Sequence, residues 1–266
     1  MTAKPRTSEL NSKLWGARAR DWADIQEGQV SRVYEAIMHR FVKPGVRYLD
    51  AGCGAGMAAQ LAAEHGAQVS GIDATENLIA IARERLPQSD FRIGDLESLP
   101  FADNAFDLVT GFNSFQYAGN PAIALGEAAR VTKPSGHVVV TTWGPPEKMP
   151  AASLVTSLRS LLPPPPPGAP GPFALSEESA LRQLASDAGL VAMEIVDVPS
   201  PFRYRDLATA LRGLGSSGVA TRAVENSSAS AVDAAHEQAL APFRQADGSY
   251  YADALFRCLI ATPAGK

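Results

Sequence analysis

An α/β fold built on a mostly parallel sheet is predicted by three observations. Between residues 46 and 144, short apolar runs alternate with segments of helical period. The first run, Tyr48-Leu49-Asp50-Ala51, passes directly into Gly52-Cys53-Gly54-Ala55-Gly56, a turn with glycine at every second position. The next two runs, Gln68 to Ile72 and Phe91 to Gly94, each lead into a carboxylate, Asp73 and Asp95.

The elements follow in order. Residues 1–45 read as a polar lead-in and then a helix, a lid in which Val30, Val33, Ile37 and Phe41 share one face until Pro44-Gly45 stops it. The α/β core spans 46–144. Met57 to His65 is an Ala-rich helix closed by Gly66, a usual residue after a helix end. Thr75 is placed to cap the helix ending near Leu86-Pro87, and Asn120-Pro121 offers an N-cap and a first-turn proline. That helix is expected to run to a turn at Lys133-Pro134-Ser135-Gly136. Phe106 to Phe112 and His137 to Trp143 supply the fourth and fifth strands.

Residues 145–198 read as a Pro-rich connector with the run Pro163 to Pro167, a helix from about Ser176 to Ala188, and a sixth strand, Leu190 to Val198. Residues 199–249 read as a helical cap broken at Gly213, Gly215 and Gly218, and 250–266 as a last strand, Tyr251 to Thr262.

Composition narrows the function. A formal net charge of −4 with no Lys/Arg cluster argues against a nucleic-acid partner. No run nears the roughly 18 apolar residues that cross a bilayer. Lys4 and Arg6 precede no apolar segment, so no secretory leader is expected. Cys53 and Cys258 lie far apart, fit no metal spacing and suit a reduced, cytoplasmic protein.

Where a strand turns at once into a helix, glycine supplies positive φ without a Cβ clash. The helix N–H groups then point into the site. A plain tight turn explains the same residues. Against the dinucleotide fingerprint G-x-G-x-x-G/A, counting from Gly52 puts Met57 at the third small position; counting from Gly54 puts Ala59 there, with the first glycine well past the strand end. The spacing present suits a nucleoside cofactor with no pyrophosphate. Asp73 is placed to accept from both ribose hydroxyls, and equally to stabilise the N-terminus of the following helix. Adenine needs an acceptor for its N6 amine and a donor for N1, which Asp95 and the Leu96 N–H offer.

The ordered motifs Tyr48-Leu-Asp-Ala-Gly-Cys-Gly-Ala-Gly, Gly71-Ile-Asp-Ala, Gly94-Asp-Leu-Glu-Ser-Leu-Pro-Phe, Phe106-Asp-Leu-Val-Thr and Thr132-Lys-Pro-Ser-Gly resemble class I S-adenosylmethionine-dependent methyltransferases. The nearest look is the small-molecule group of the ubiquinone/menaquinone-biosynthesis type. The likeness covers about 46–144 well and the flanks loosely; Ser135 departs from a second glycine at a turn position. It implies a Rossmann-like, seven-stranded, mostly parallel sheet with an antiparallel last strand, helices on both faces and a helical cap. It further implies that Gly52, Gly54 and Gly56 line the methionine and ribose of S-adenosyl-L-methionine, that Asp73 holds the ribose with Ala74 near the adenine, and that Asp95 and Leu96 bind the adenine edge. Asn113 is expected beside the transferring methyl.

Gln116, Tyr117 and Trp143 follow the carboxyl ends of strands, where open α/β sheets bind ligands. Trp15, Arg20 and Trp22 from the N-terminus, with Phe202, Tyr204, Leu211, Leu214 and Phe243 from the cap, are expected to roof a small, partly apolar acceptor; packing of the cap explains them equally well. No catalytic base or metal site is assigned. His39, His65 and His137 suit element ends, and His236 sits in the cap. The expectation is a methyltransferase acting by in-line displacement, as monomer or homodimer. Alternatives are a non-catalytic S-adenosylmethionine-binding module and an NAD-dependent oxidoreductase, the latter disfavoured by Met57 and Asp95.

Overall fold

Seven strands form the central sheet: β1 (Arg47–Ala51), β2 (Gln68–Asp73), β3 (Asp90–Ile93), β4 (Phe106–Phe112), β5 (Thr132–Trp143), β6 (Leu190–Pro199) and, last in the chain, β9 (Leu255–Pro263). They lie in the order β3-β2-β1-β4-β5-β9-β6. The first five are parallel to one another, and β9 runs antiparallel to both β5 and β6. This computed structural model describes residues 7–164 and 171–265; Lys4, Arg6 and Pro165 to Pro167 of the proline run lie outside the described residues.

Helices cover both faces, because the strands are apolar on both sides. α3 (Ser31–Phe41), α4 (Met57–Glu64) and part of α5 (Glu76–Arg85) bury Val33, Ile37, Met38, Ala58, Ala59, Ala62, Ile79 and Ala82 on one face. α6 (Pro121–Val131) and α8 (Glu178–Asp187) bury Leu125, Ala128, Val131, Leu181 and Ala185 on the other. Each fully buried Leu, Ile or Met side chain is worth about 1.5–3 kcal/mol over exposure. The alanines of α4 let it sit close to the sheet, which brings the head of α4 to the glycine turn. The Asn120 side chain accepts from the N–H groups of Ala122 and Ile123 with Pro121 in the first turn, as expected of a capped start. No helix among the described residues is long and apolar enough to cross a membrane.

Several expectations are corrected. The N-terminal lead-in is helical from the first described residue: α1 (Thr7–Gly16) and α2 (Ala19–Asp21) precede a π-helical turn, Trp22–Gln26, and a 3-10 turn, Glu27–Val30. We refer to Trp22–Val30 as the strap. Thr75 occupies the cap position of α5 but makes no side-chain capping bond; its hydroxyl, like its N–H, turns back to the Asp73 carboxylate. Lys133 to Gly136 is extended within β5, not a free turn. The register slips there, since Phe106 pairs with Thr132 while Leu108 pairs with His137, and Lys133 Nζ holds Asp107 Oδ1 at 2.7 Å across the slip.

The region 199–249 is not wholly helical. β7 (Phe202–Tyr204) pairs with β8 (Tyr250–Ala252) in a separate antiparallel ribbon, so the expected last strand is interrupted before β9. α7 (Ala152–Thr156) lies in the connector, and the cap comprises α9 (Leu207–Leu214), α10 (Gly218–Asn226) and α11 (Ala229–Leu240). Gly213 lies inside α9, where a Cβ would approach Ile25 Cγ2 to 2.8 Å; it is a packing contact, not a break.

Candidate cofactor and acceptor site

The carboxyl ends of β1, β2, β3 and β4 meet at the glycine turn. Gly52 and Cys53 donate their N–H groups to the Ile72 carbonyl, at 2.7 and 3.0 Å, which ties the turn to β2. Gly52 has φ +80°, and a Cβ there would lie 2.3 Å from Ser114 Cβ, so the segment after β4 packs directly on the turn. Gly56 has φ +83°, and a Cβ there would meet Ala82 Cβ at 2.9 Å. The open side of Gly56 is therefore taken up by α5, while that of Gly54 faces Trp22 Nε1 and Glu27 Oε1 on the strap, each 3.5 Å from the Cβ position.

Asp73, with Ala74 beside it, stands at the tip of β2. Its Oδ2 accepts the Gly54 N–H at 3.0 Å and its Oδ1 accepts the Thr75 N–H at 2.8 Å. Burial pushes this carboxyl up from its ordinary value, and the backbone bonds oppose that rise. The Thr75 hydroxyl and the Ala74 amide act on the same carboxylate. At the tip of β3, Asp95 Oδ1 accepts the Glu97 N–H at 3.0 Å; Asp95 and Leu96 are both half-buried.

After β4, Asn113 takes a left-handed φ of +51°, and its N–H reaches the Thr141 carbonyl at 3.0 Å, which fixes it against β5. Gln116 donates to Asn113 Oδ1 at 3.1 Å, while Gln116 Oε1 is buried with no partner among the described residues. A buried, unmatched acceptor beside Asn113 fits a donor brought by a ligand.

Tyr117 lies under the N-terminal segment: its carbonyl accepts from Asn11 at 2.8 Å, its ring meets Trp15 edge-on at 5.5 Å, and burial pushes its hydroxyl up to about 12. Trp15 in turn meets Trp22 at 4.8 Å, so Tyr117, Trp15 and Trp22 pack as one aromatic chain. Arg20 does not join it; it pairs on the surface with Glu84 of α5 at 2.9 Å. The Trp143 ring packs with Phe202 and Phe256, and the Tyr204 hydroxyl is spent on Gln26 Oε1 at 2.9 Å. These two side chains join the strap and cap to the core; no contact places them beside Asn113.

Two further carboxylates stand at the site: Asp50, which the sequence grouped with Asp73 and Asp95 at the strand tips as marking a nucleoside pocket, and Glu27, which it did not single out. Asp50, 2% exposed, accepts from Thr110 Oγ1 at 3.2 Å, and its carboxyl is pushed up to about 7, first by burial and then by the neighbouring charges of Glu27 and Asp73. Glu27, 3% exposed, pairs with Arg85 at 2.5 Å. The carboxylate before the first glycine was a signal for Asp50. No local signal existed for Glu27, which reaches the turn from the strap. Asp50 thus lies within electrostatic reach of Glu27 and Asp73, and of the three only Glu27 is paired with a guanidinium, an imbalance that favours a cationic ligand.

A parallel sheet of this order, closed by an antiparallel strand between the fifth and sixth and carrying carboxylates at successive strand tips, defines the class I S-adenosylmethionine-dependent methyltransferase architecture. A family described as "Methyltransferase domain" matches residues 49–140. The match spans the α/β core, which is where the chain is similar to that family.

Demethylmenaquinone methyltransferase of Renibacterium salmoninarum is 33% identical over 152 residues, 57% of this chain and 60% of that protein. Malonyl-(acyl-carrier protein) O-methyltransferase of Erwinia pyrifoliae is 28% identical over 191 residues, 71% of this chain and 69% of that protein. The first match thus spans less than two thirds of the relative's length. Among solved structures, the YcgJ protein of Bacillus subtilis superposes with a TM-score of 0.58 at 20% identity, covering 88% of this chain and 98% of that one. At that identity it bears on the fold alone.

Proposed function

We propose that this protein is an S-adenosylmethionine-dependent methyltransferase that methylates a small, partly apolar acceptor by in-line displacement. The observation that carries the reading is the Asp73 carboxylate, held by the Gly54 and Thr75 amides at the lip of an acid-rich cradle. When bound, S-adenosylmethionine supplies a methyl carbon already activated by its sulfonium. The residues of the chain then bind, orient and exclude water. Asp73 accepts from the ribose hydroxyls, with Ala74 against the adenine and Asp95 and the Leu96 N–H on its edge. Gly52, Gly54 and Gly56 give the methionine arm its turn, and Asp50 offsets its positive charge. Asn113 and Gln116 face the methyl, and the Gln116 Oε1 acceptor orients a hydroxyl or amine of the acceptor molecule.

The two relatives named above carry different acceptors in their names, which supports a small-molecule class without selecting one. We place the protein in the cytoplasm as a monomer or homodimer, with neither nucleic acid nor membrane as partner; both cysteines are buried and free. Incubation with tritiated methyl donor and cell extract, followed by separation by size, tests the proposal. Label in a small molecule is the expected result, and label confined to protein or RNA overturns it. Calorimetry with S-adenosylhomocysteine separates a silent binding module, which binds but transfers nothing, from a chain that does not bind the cofactor.

A further inference from the structure

The strap Trp22–Val30 is fastened on two sides. Toward the cap, Tyr204 donates its hydroxyl to Gln26 Oε1; Gln29 Oε1 accepts the Arg203 N–H at 2.7 Å and its side-chain amide donates back to the Arg203 carbonyl at 3.1 Å. Ser200 adds a bond to the Gln29 carbonyl at 2.6 Å. Toward the cradle, Glu27 turns its carboxylate inward. Its Oε1 accepts the Met57 N–H, the first amide of α4, at 3.3 Å, and the Ala55 amide also acts on its carboxylate. Its Oε2 takes Arg85 Nη1 at 2.5 Å. Arg85 completes the fastening by donating to the Ala55 carbonyl at 2.9 Å and to the Ala23 carbonyl at 2.8 Å, so it grips both the turn and the strap.

The head of a helix that follows a glycine turn is where dinucleotide folds hold a pyrophosphate. Here those amides, the helix dipole and a guanidinium all converge on the chain's own carboxylate. Burial pushes the Glu27 carboxyl up from its ordinary value, while Arg85 and the amides oppose it. The group is thus held in place by its partners and not by water.

We propose that Glu27 and Arg85 are positioning residues that seat the strap on the cofactor cradle, with Glu27 filling the anion position at the head of α4 so that phosphate-bearing nucleotides are turned away. Gln26 and Gln29 bind the cap from the residues flanking Glu27, so the same pair ties the donor side of the molecule to the acceptor side. The loss of Glu27 exposes an anion nest made of Arg85 and two amides, which a small carboxylate refills. The effect on cofactor affinity rests on the methyltransferase reading; the refilling of the nest does not.

The test uses the full-length protein and its Glu27→Ala and Glu27→Gln variants, with formate as the probe and chloride at equal ionic strength as the control. Thermal melting is expected to show Glu27→Ala lowered and then raised again by tens of millimolar formate but not by chloride, with the wild type indifferent to formate. Calorimetry is expected to show S-adenosylhomocysteine bound at least tenfold more weakly by Glu27→Ala and recovered by formate. ADP is expected to be refused by the wild type and to bind Glu27→Ala. A variant that folds only with formate supports the proposal. One that folds in neither salt passes the test to Glu27→Gln, which keeps the side-chain volume and removes the charge that Arg85 grips; it is expected to bind S-adenosylhomocysteine at least tenfold more weakly than the wild type.

A folded Glu27→Ala that responds alike to formate and chloride overturns the proposal, as does a Glu27→Gln that binds S-adenosylhomocysteine as tightly as the wild type. If the wild type fails to bind S-adenosylhomocysteine while formate still raises the melting point of Glu27→Ala, the cofactor reading falls and the seating by Glu27 stands.

Discussion

Asp73 Oδ2 accepts the Gly54 N–H at 3.0 Å, a bond that joins the tip of the second strand to the turn after the first. It gives the carboxylate one orientation before any ligand arrives, so little ordering remains to oppose binding. Asp73→Ala removes a charged acceptor from the sugar and frees the turn; the expected loss of S-adenosylhomocysteine affinity is about 2 kcal/mol or more, roughly 30-fold. Asp73→Asn keeps one acceptor atom and should fall between. Calorimetry on variants with native melting curves decides the matter, and an unchanged Kd for Asp73→Ala removes the ribose assignment.

Asp50 gives the site a pH dependence near neutrality. Burial pushes its carboxyl up to about 7 from an ordinary value of 3.8. The folded state therefore holds this proton more tightly than the unfolded one, and Asp50 lowers stability progressively as pH rises from about 4 to 7. A cationic ligand selects the ionised form, so affinity for S-adenosylmethionine should climb with pH up to about 7 and then level. Asp50→Asn should flatten both profiles between those limits. A wild-type affinity independent of pH over 5.5 to 8 would contradict this account, those bounds being set about one and a half units below and one above the shifted value.

What the sequence made legible was local. Alternating runs and turn glycines marked the parallel strands, and Asp73 and Asp95 stood out because a carboxylate at a strand tip repeats within a short stretch. Asn120-Pro121 was readable as a helix start for the same reason. Glu27 was not, because its partners Arg85 and Met57 are brought to it by the packing of the strap across α4 and α5. Arg20 looked like a roof residue by its neighbours Trp15 and Trp22, yet helical rotation turns it out to Glu84. Thr75 had the chemistry of a cap, but its hydroxyl is drawn back to the Asp73 carboxylate two residues earlier. The β7–β8 ribbon, whose strands flank the Ala/Ser-rich stretch, was hidden because each has only three residues, too few for a period to show.

Gly52 tests whether the turn is dictated by the protein's own packing. Its φ of +80° disfavours any side chain, and an added Cβ would fall 2.3 Å from Ser114 Cβ and 3.7 Å from Ser114 Cα. Gly52→Ala should cost more than about 2 kcal/mol, combining left-handed strain with overlap. Because the collision is with Cβ, Ser114→Ala should not relieve it, whereas Ser114→Gly should return part of the loss. Denaturant melts of the single and double variants measure this coupling. Strict additivity of Gly52→Ala with Ser114→Gly would show that the two segments do not press on each other.

His236 should set part of the acid limit of the fold. It is 2% exposed on α11, its Nδ1 has no partner among the described residues, and burial pushes its imidazole down to about 4 against an opposing pull from Asp233. The folded state therefore keeps His236 neutral where the unfolded chain, with an ordinary value of 6.5, already binds the proton. Stability tied to this residue is complete above about 6.5, drains as pH falls, and is lost below about 4. The full excursion is worth about 3 kcal/mol. His236→Leu removes the titration and leaves an apolar side chain among Val232 and Leu240, the buried residues one turn away on either side. Urea unfolding of both proteins from pH 7 to 4.5 should show the stability difference between wild type and variant shifting in favour of the variant as pH falls. Parallel curves over that range would mean that His236 takes up its proton inside the folded cap, and that water reaches a site the packing closes.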